Sequence, residues 1–401
     1  MKMFRLLMIV AALAVPLMLC AADKGTSKSP DSPIYVLTND DGVLHNYVSF
    51  YLAGTGQGGP TLTYQNGVNT GGKGIGGGYF ASPRVNLLPD SSAQCVYASN
   101  AGTGDISGIN ISTQSRSGVF PASPNDAGDA NGIGLVLNTN YLYAGYSTSN
   151  TIATFSVLPG CQLSFLGDVT AAGLNGGSPS GMALRGNILV VAYADGSIES
   201  FNVANGMPIS NGDAQNSTAY AAAYFAEGVD ITQDGHFAIF GDSSIPTTVE
   251  VSDISSGKLT PTVQYTVGTT IHAVGSGVNS ASIRLSPDES LLYVGNNDGG
   301  SVSAAFFDKN TGRVTRGCKS PTLRGFYNPW AFVGSLATRD TTGTGGVLYV
   351  AEFGFTSSFI GFLEVRSDGI NCTLTEAANS SVADQLSNGL LSIQVFPPRP
   401  F

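Results

Sequence analysis

Charged residues are scarce in this chain of 401 residues: they make up 11% of it, and 28 acidic residues outnumber 18 lysines and arginines. So little charge cannot solvate long exposed helices, which excludes a coiled coil. The basic residues are scattered singly, so the chain lacks the positive surface that binds a phosphate backbone, and nucleic acid is excluded as a partner. An apolar content of 42% excludes a disordered chain.

Histidine is also rare, with three residues in the whole chain, His45, His236 and His272. None of the cysteines has the Cys-x-x-Cys spacing of a zinc site, and the histidines lie far from them in sequence. The sequence therefore predicts neither a metal site nor a cofactor.

The first 22 residues have the three parts of a secretory signal. Lys2 and Arg5 precede the apolar run of residues 6–19, and the small residues Ala21 and Ala22 follow it. That run is too short for a comfortable membrane span, and no later stretch approaches one. We expect an exported protein, periplasmic or extracellular, with a signal peptide over residues 1–22 and one domain over residues 23–401.

Cys20 offers a second way to process the leader, as a lipidated first residue. Met18 and Leu19 just before it are large, whereas a lipoprotein signal has small residues there, so we favour cleavage near Ala22 over a lipid anchor. Four cysteines then remain in an oxidising compartment, which predicts two disulfides in any of three pairings. They are Cys95, Cys161, Cys318 and Cys372.

A short strand with the pattern apolar, Tyr, apolar, small, polar recurs along the chain. Its repeat column is Tyr35, Tyr97, Tyr143, Val190, Ile239, Tyr293 and Tyr349. The column recurs every ~52 residues, which is the period of a propeller blade. A plainer apolar strand precedes most copies, and an alternating strand and a Gly-led outer strand follow. The sequence predicts an all-β, seven-bladed propeller of four-stranded blades.

The two ends of the repeat are complementary. The first unit lacks its leading strand, whereas a surplus strand, LLSIQVF (390–396), follows the last unit. We predict that this C-terminal strand completes the first blade and closes the ring, so that no sheet edge faces solvent at the seam.

Several of these segments resemble a known family. YVLTND (35–40), YASN (97–100) and YVGNN (293–297) resemble the marker of Tyr-Val-Thr-Asn repeat propellers. Residues 286–315 and 178–206 resemble blades of the seven-bladed lactonase family, which is related to bacterial phosphogluconolactonase. The resemblance covers residues 33–399 and implies the propeller fold and, for some members, hydrolysis of a sugar lactone. The chain has no His-Pro-His-type loop, so no catalytic residue is carried over from the family.

Polar and aromatic side chains stand where the second strand of each unit enters a loop at one face of the disk. Three residues beyond the repeat column lie Thr38, Asn100, Tyr146, Tyr193, Asp242, Asn296 and Glu352. Propellers bind ligands at the ends of the central channel, so this ring is a candidate rim. The alternative is that any strand turns polar on reaching water.

Acid–base candidates fall on the same face by this strand order. The possible catalytic set is His45, Arg84, Glu227, His272 and Glu352, and the possible binding set is Asn100, Tyr146, Tyr193, Asp242, Asn296 and Trp330, with Asn328 nearby. Lactone hydrolysis needs a base that activates water and a donor that holds the oxyanion, and Glu or His opposite Arg84 would supply both. The competing interpretation is that these are paired or solvated loop residues and that Trp330 is a packing anchor. His236 falls on the opposite face.

Three further stretches contain groups that could bind a ligand. TNDDG (38–42) and NNDGG (296–300) contain oxygen ligands without the alternating spacing of a calcium loop, so they predict tight turns. GVNTGGKGIGGG (67–78) precedes no helix that could receive a phosphate, so it predicts a flexible connector between blades.

Two functions remain open. The first is an exported binding scaffold without catalysis, which presents a loop-rimmed disk to an envelope protein or a glycan. The second is a lactonase-like hydrolase that opens a small sugar lactone at the channel mouth. The low charge and few acid–base residues favour the scaffold.

Overall fold

In its computed structural model the chain folds into seven antiparallel sheets, and each sheet is one blade of a propeller. The structure describes residues 33–76, 83, 85–87, 94–123, 132–216, 228–242, 248–267, 282–296, 300–324, 332–342, 345–353, 357–386, 389–390 and 392–396. Residues 34–401 form one compact unit. Within the described ranges, no helix has the length and apolarity needed to cross a membrane.

The strands of each blade follow one another from the inner to the outer edge. Blade 1 holds β30 (Ser392–Phe396), β1 (Tyr35–Asn39), β2 (Tyr47–Gly56) and β3 (Gly59–Asn69). Blade 2 holds β4 (Val85–Leu87), β5 (Cys95–Asn100), β6 (Asp105–Asn110) and β7 (Ser115–Pro121). Blade 3 holds β8 (Ile133–Leu137), β9 (Tyr141–Tyr146), β10 (Thr151–Leu158) and β11 (Gln162–Thr170).

The other four blades repeat this order. Blade 4 holds β12 (Pro179–Arg185), β13 (Ile188–Tyr193), β14 (Ser197–Asn202) and, both on β14, β15 (Ile209–Ser210) and β16 (Gln215–Asn216). Blade 5 holds β17 (Val229–Ile231), β18 (Phe237–Asp242), β19 (Thr248–Asp253) and β20 (Val263–Thr266). Blade 6 holds β21 (Ile283–Leu285), β22 (Leu291–Asn296), β23 (Ser301–Asp308) and β24 (Arg313–Lys319). Blade 7 holds β25 (Phe332–Thr342), β26 (Gly345–Phe353), β27 (Phe359–Ser367) and, both on β27, β28 (Cys372–Glu376) and β29 (Val382–Ala383).

The C-terminal strand closes the ring as predicted. β30 pairs antiparallel with β1 and occupies the innermost position of blade 1, next to the inner strand of blade 2. A hydrogen bond of 3.2 Å from the amide of Val85 to Oγ of Ser392 joins these two inner strands. The first blade is therefore built from both ends of the described chain, and β1 is paired on both sides.

The core consists of seven apolar layers, one between each pair of neighbouring blades. Because side chains alternate across a strand, the second strand of each blade contributes side chains to the apolar layers on both sides of that blade. On β5, Tyr97 packs toward blade 3, whereas Val96 and Ala98 pack toward blade 1. This two-sided burial explains why the repeated strands are apolar at nearly every position.

The connections define two faces of the disk. The loop face carries the loops from second to third strands and from each outer strand to the next blade. The turn face carries the turns from inner to second strands and from third to outer strands. Residues 42–46, between β1 and β2, belong to the loop face, whereas His236 and Ile370 belong to the turn face.

Two disulfides join neighbouring blades. Cys95 on β5 is bonded to Cys161, in the turn before β11, with a Cα–Cα distance of 5.5 Å. Cys318 on β24 is bonded to Cys372 on β28, with the same Cα–Cα distance. Both predicted bridges are present, and the structure selects one of the three possible pairings.

Two details of the predicted repeat were wrong. The Gly-led segment GKLTPTV (257–263) fits the sequence pattern of the outer strand of blade 5, but that strand is Val263–Thr266. Residues 255–258 instead form the turn after β19, and the carbonyl of Thr260 accepts a bond from Oγ of Ser252 on β19. In blade 1, Tyr35 is not the repeat column. Leu37 holds that position in blade 1. Its backbone pairs with Gln394 of the inner strand, as the backbone of Tyr97 pairs with Asn86 of the inner strand in blade 2.

Candidate functional site

The predicted rim side chains whose burial the structure describes lie inside the propeller. Asn100, Tyr146, Tyr193, Asn296 and Glu352 are at most 3% exposed. Asp242 ends β18, where its backbone pairs with Thr248. A role of these residues in ligand binding stays a prediction, because the contacts that the structure assigns to them stabilise the blades.

Asn100 lies at the centre of the largest of these networks. Its Oδ1 accepts hydrogen bonds from Nδ2 of Asn46 at 2.9 Å and from Oγ1 of Thr70 at 2.7 Å. Its Nδ2 donates to Oδ1 of Asp105 at 2.6 Å and to Oγ of Ser107 at 2.8 Å. All four bonding positions of the amide are used, and they tie blade 2 to blade 1.

In blades 4 and 6 the residues at this position, Tyr193 and Asn296, bond to the third strand of their own blade. Oη of Tyr193 donates to Oε2 of Glu199 at 2.9 Å. Burial and the neighbouring Glu199 carboxylate raise the pKa of Tyr193, so the hydroxyl keeps its proton. Nδ2 of Asn296 donates to Oγ of Ser301 at 3.2 Å and of Ser303 at 3.0 Å.

In blade 1, Asp40 occupies this position instead of Thr38. The amide of Asp40 bonds to the carbonyl of Tyr47, and Oδ2 accepts a bond of 2.6 Å from Oγ of Ser49, two residues into the third strand. Thr38 points toward the same carboxylate, with Oγ1 at 2.5 Å from Oδ1 of Asp40. The two-residue offset follows from the repeat column, which lies at Leu37.

Two of the five catalytic candidates lie within the described residues, and their environments differ. His45 is exposed in the loop between β1 and β2, whereas Glu352 on β26 is 1% exposed. Arg84, Glu227, His272, Trp330 and Asn328 lie outside the described residues. The proposed pairing of a base with Arg84 therefore stays a prediction.

The Gly-rich stretch packs against its neighbours instead of forming a flexible connector. Residues 67–69 belong to β3, and the amides of Gly74 and Gly76 bond at 2.8 Å to the carbonyls of Gly42 and Asp41. The amide of Gly102 bonds in turn to the carbonyl of Lys73 at 2.9 Å. A Cβ on Gly74 would overlap the backbone of Asp41, which explains the glycine there.

A cavity of about 110 Å³ lies in the central channel. All seven inner strands line it, each with the residue that pairs with the repeat column of its blade: Asn86, Val136, Ala183, Asp230, Arg284, Ala337 and Gln394. Arg185, the last residue of β12, and Gln233, in the turn after β17, also line it. The cavity therefore lies toward the turn face, whereas the sequence-based candidates were placed at the loop face.

Two polar residues of this layer tie neighbouring inner strands together. Nδ2 of Asn86 donates to the carbonyl of Leu135 at 2.9 Å. Oδ2 of Asp230 accepts a bond of 2.8 Å from the amide of Leu285, and its Oδ1 accepts one of 2.9 Å from the amide of Ile231.

Sequence reasoning missed the polar residues of this layer, although a signal was present. The leading strands RVNLLPD (84–90), GVDITQD (228–234) and SIRLSPD (282–288) each place a polar residue between two apolar ones. These are Asn86, Asp230 and Arg284. A polar side chain at the same place in several innermost strands predicts a polar layer in the channel.

Comparisons with known proteins support the fold. No protein-family model and no curated protein matches the chain. A protein of unknown function from Desulfotomaculum acetoxidans matches its structure with a TM-score of 0.62 and 14% identity, over 91% of this chain and 99% of that one. A candidate 6-phosphogluconolactonase from Bacteroides fragilis matches with a TM-score of 0.51 and 14% identity, over 71% and 94%.

The similarity also extends to another propeller. The β-propeller domain of Cps50 (Swd1) from Myceliophteria thermophila matches with a TM-score of 0.55 and 11% identity, over 81% of this chain and 92% of that one. At these identities the likeness shows the fold alone. The chain is a seven-bladed β-propeller, with distant structural similarity to candidate lactonases of that fold.

Proposed function

We propose that this chain is an exported propeller that acts as a binding scaffold of the cell envelope and presents its loop face to an envelope protein or a glycan. The proposal rests on one observation: side chains of the predicted polar rim are hydrogen-bonded within the propeller. Asn100, Tyr193 and Asn296 have hydrogen-bond partners within the propeller, so they hold the blades together. The described loops around blades 1 and 2 then offer a surface of fixed shape instead of a set of reactive groups.

On the loop face, the described loops around blades 1 and 2 are held in place by one another. The bonds from Gly74 to Gly42 and from Gly102 to Lys73 connect three successive loops around blades 1 and 2. A surface that is already ordered loses little conformational entropy when a partner binds. Val43 and Leu44, 57% and 77% exposed on the same face, supply apolar contact area.

Two features support export. Residues 1–22 have the charged, apolar and small-residue parts of a secretory signal. The bridges Cys95–Cys161 and Cys318–Cys372 suit an oxidising compartment, in which disulfides persist. Together they favour a periplasmic or extracellular location.

The alternative function is hydrolysis of a small sugar lactone. It is favoured by the likeness to a candidate 6-phosphogluconolactonase, a likeness of fold. A base and an oxyanion donor must meet at one point for this chemistry. His45 is exposed and Glu352 is buried, so these two candidates do not share one environment.

The test measures binding and hydrolysis on the same purified protein. Binding to immobilised envelope glycans and to envelope proteins, purified one at a time, is measured for the wild type, for Leu44→Ser on the loop face and for Ile370→Ser on the turn face. Ile370 is the matched control because it is 82% exposed. The scaffold hypothesis predicts that a partner binds, that Leu44→Ser weakens binding and that Ile370→Ser does not.

Opening of gluconolactone is followed in parallel for the wild type, His45→Ala and His236→Ala. The scaffold hypothesis predicts the rate of the buffer blank for all three proteins. A rate above the blank that His45→Ala removes and His236→Ala keeps would favour the hydrolase and contradict the scaffold.

A further inference from the structure

Four blades carry a polar side chain at the same register position of the channel layer. Asn86, Asp230, Arg284 and Gln394 pair through their backbones with the repeat columns of blades 2, 5, 6 and 1. Asn86 and Asp230 each bond to the backbone of the next inner strand, at Leu135 and Leu285. These two side chains therefore bridge neighbouring blades.

Arg284 has no such partner. Its guanidinium makes no hydrogen bond and no ion pair with the residues that the structure describes, and its Nε is buried. The residue as a whole is half-buried and lines the channel cavity. A partly desolvated cation without a partner is unfavourable, so the position is suited to a ligand that supplies the missing acceptors.

The other charges of the cavity do not compensate Arg284. Arg185 adds a second guanidinium, whose Nε donates to the carbonyl of Gln233 at 2.6 Å. Asp230 is the one carboxylate among the described lining residues, and both of its oxygens already accept backbone amides. Among the described lining residues, two arginines stand beside one aspartate, in a chain whose net charge is -10.

We propose that the channel cavity is a binding site for a small oxyanion, a carboxylate or a phosphate, held by the guanidinium of Arg284. The planar fork of a guanidinium matches two oxygens of such a group. Thr338 and Gln394 line the same cavity from blades 7 and 1 and place polar groups beside the anion. A volume of about 110 Å³ accommodates several waters or one such anionic group.

This site is independent of the proposed scaffold function. It lies in the channel toward the turn face, whereas the partner-binding surface proposed above is the loop face. Leu44→Ser should therefore leave anion binding unchanged, and Arg284→Gln should leave the binding of an envelope partner unchanged.

The test is calorimetric titration of the purified protein with sodium gluconate, with inorganic phosphate and with neutral glucose. We expect gluconate or phosphate to bind in the millimolar range or tighter, more weakly as salt is raised, and glucose not to bind. Arg284→Gln should weaken the binding about 10- to 100-fold, and Arg284→Lys should weaken it less, because the charge remains and the fork is lost. Arg366→Gln is the control, since Arg366 is 77% exposed on blade 7.

Thermal unfolding without added anion separates loss of a ligand contact from loss of structure. Arg284→Gln should unfold at the same temperature as the wild type or higher, because an unpaired cation is removed. Binding of gluconate alone would assign the site to carboxylates, and binding of phosphate alone would assign it to phosphates. Binding of both would support one oxyanion site at Arg284 that accepts either group. The proposal is overturned if neither anion binds, if binding survives Arg284→Gln, or if that variant unfolds at a lower temperature.

Discussion

Oγ of Ser49 donates a hydrogen bond of 2.6 Å to Oδ2 of Asp40, a carboxyl group with no exposed surface in blade 1. Burial, and then the charge of Asp384, raise the pKa of Asp40 well above its ordinary value of 3.8. Oη of Tyr51 lies between the two blades that meet there and donates to Oδ1 of Asp384 at 3.0 Å. The seam of the ring therefore contains a carboxyl group that favours its protonated form.

Asp40→Asn should make the protein less sensitive to rising pH. The folded chain holds the Asp40 proton more tightly than the unfolded chain does, so this stabilisation is complete below pH 3.8 and is lost as pH rises through the folded pKa. The variant should gain up to about 1.4 kcal/mol over the wild type per pH unit across that interval. Urea unfolding between pH 4 and pH 8 measures the difference.

Asp308→Asn is the control of opposite sign. Hydrogen bonds from Thr311 and Asn310 lower the pKa of Asp308, so its contribution is lost as pH falls. Parallel pH profiles for the wild type and Asp40→Asn would contradict the assignment of the raised pKa to Asp40.

Asn100→Ala should destabilise the protein by about 2–4 kcal/mol, since buried donors and acceptors on Asn46, Thr70, Asp105 and Ser107 lose a partner. Denaturant unfolding measures the change. The control is Asn187→Ala in the exposed turn between β12 and β13, with an expected change within about 0.5 kcal/mol. Equal effects of the two substitutions would show that the Asn100 network does not stabilise the blades.

Loss of either disulfide should lower the free energy of unfolding. The bridges span sequence separations of 66 and 54 residues, for which the chain-entropy model gives about 4 kcal/mol each. The double substitutions Cys95→Ala/Cys161→Ala and Cys318→Ala/Cys372→Ala, compared with the oxidised wild type by denaturant unfolding, test this. A loss below about 1 kcal/mol for both would contradict a role of the bridges in holding blades together.

Most of the fold was predictable because blade-forming strands obey a local rule. The second strand of a blade is buried on both faces, so its apolar pattern is visible in the sequence, as in β5 and β22. The blade 1 register was not predictable from that pattern. Tyr35 fits the repeat as well as Leu37 does, and the choice is made by pairing with Gln394, more than 350 residues away.

The candidate site was less predictable than the fold, for a physical reason. A polar residue at the end of an apolar strand looks the same in sequence whether it faces water or a buried partner. Asn100 bonds to Thr70, just after β3, and Tyr193 bonds to Glu199 on β14. Only the fold brings these residues together. That Arg284 finds no partner among the described residues is likewise a property of the assembled channel.

Hydrogen exchange of β30 tests most directly whether the C-terminal strand closes the ring and so places the channel layer. Through the pairs Tyr35–Phe396, Leu37–Gln394 and Asn39–Ser392, alternate amides of β30 face β1, so the amides of residues 392, 394 and 396 should be protected to the same degree as those of β1. They should then exchange only when the whole propeller unfolds. Exchange as fast as in the exposed turn at residues 368–371 would contradict closure, and with it the faces and the channel layer described above.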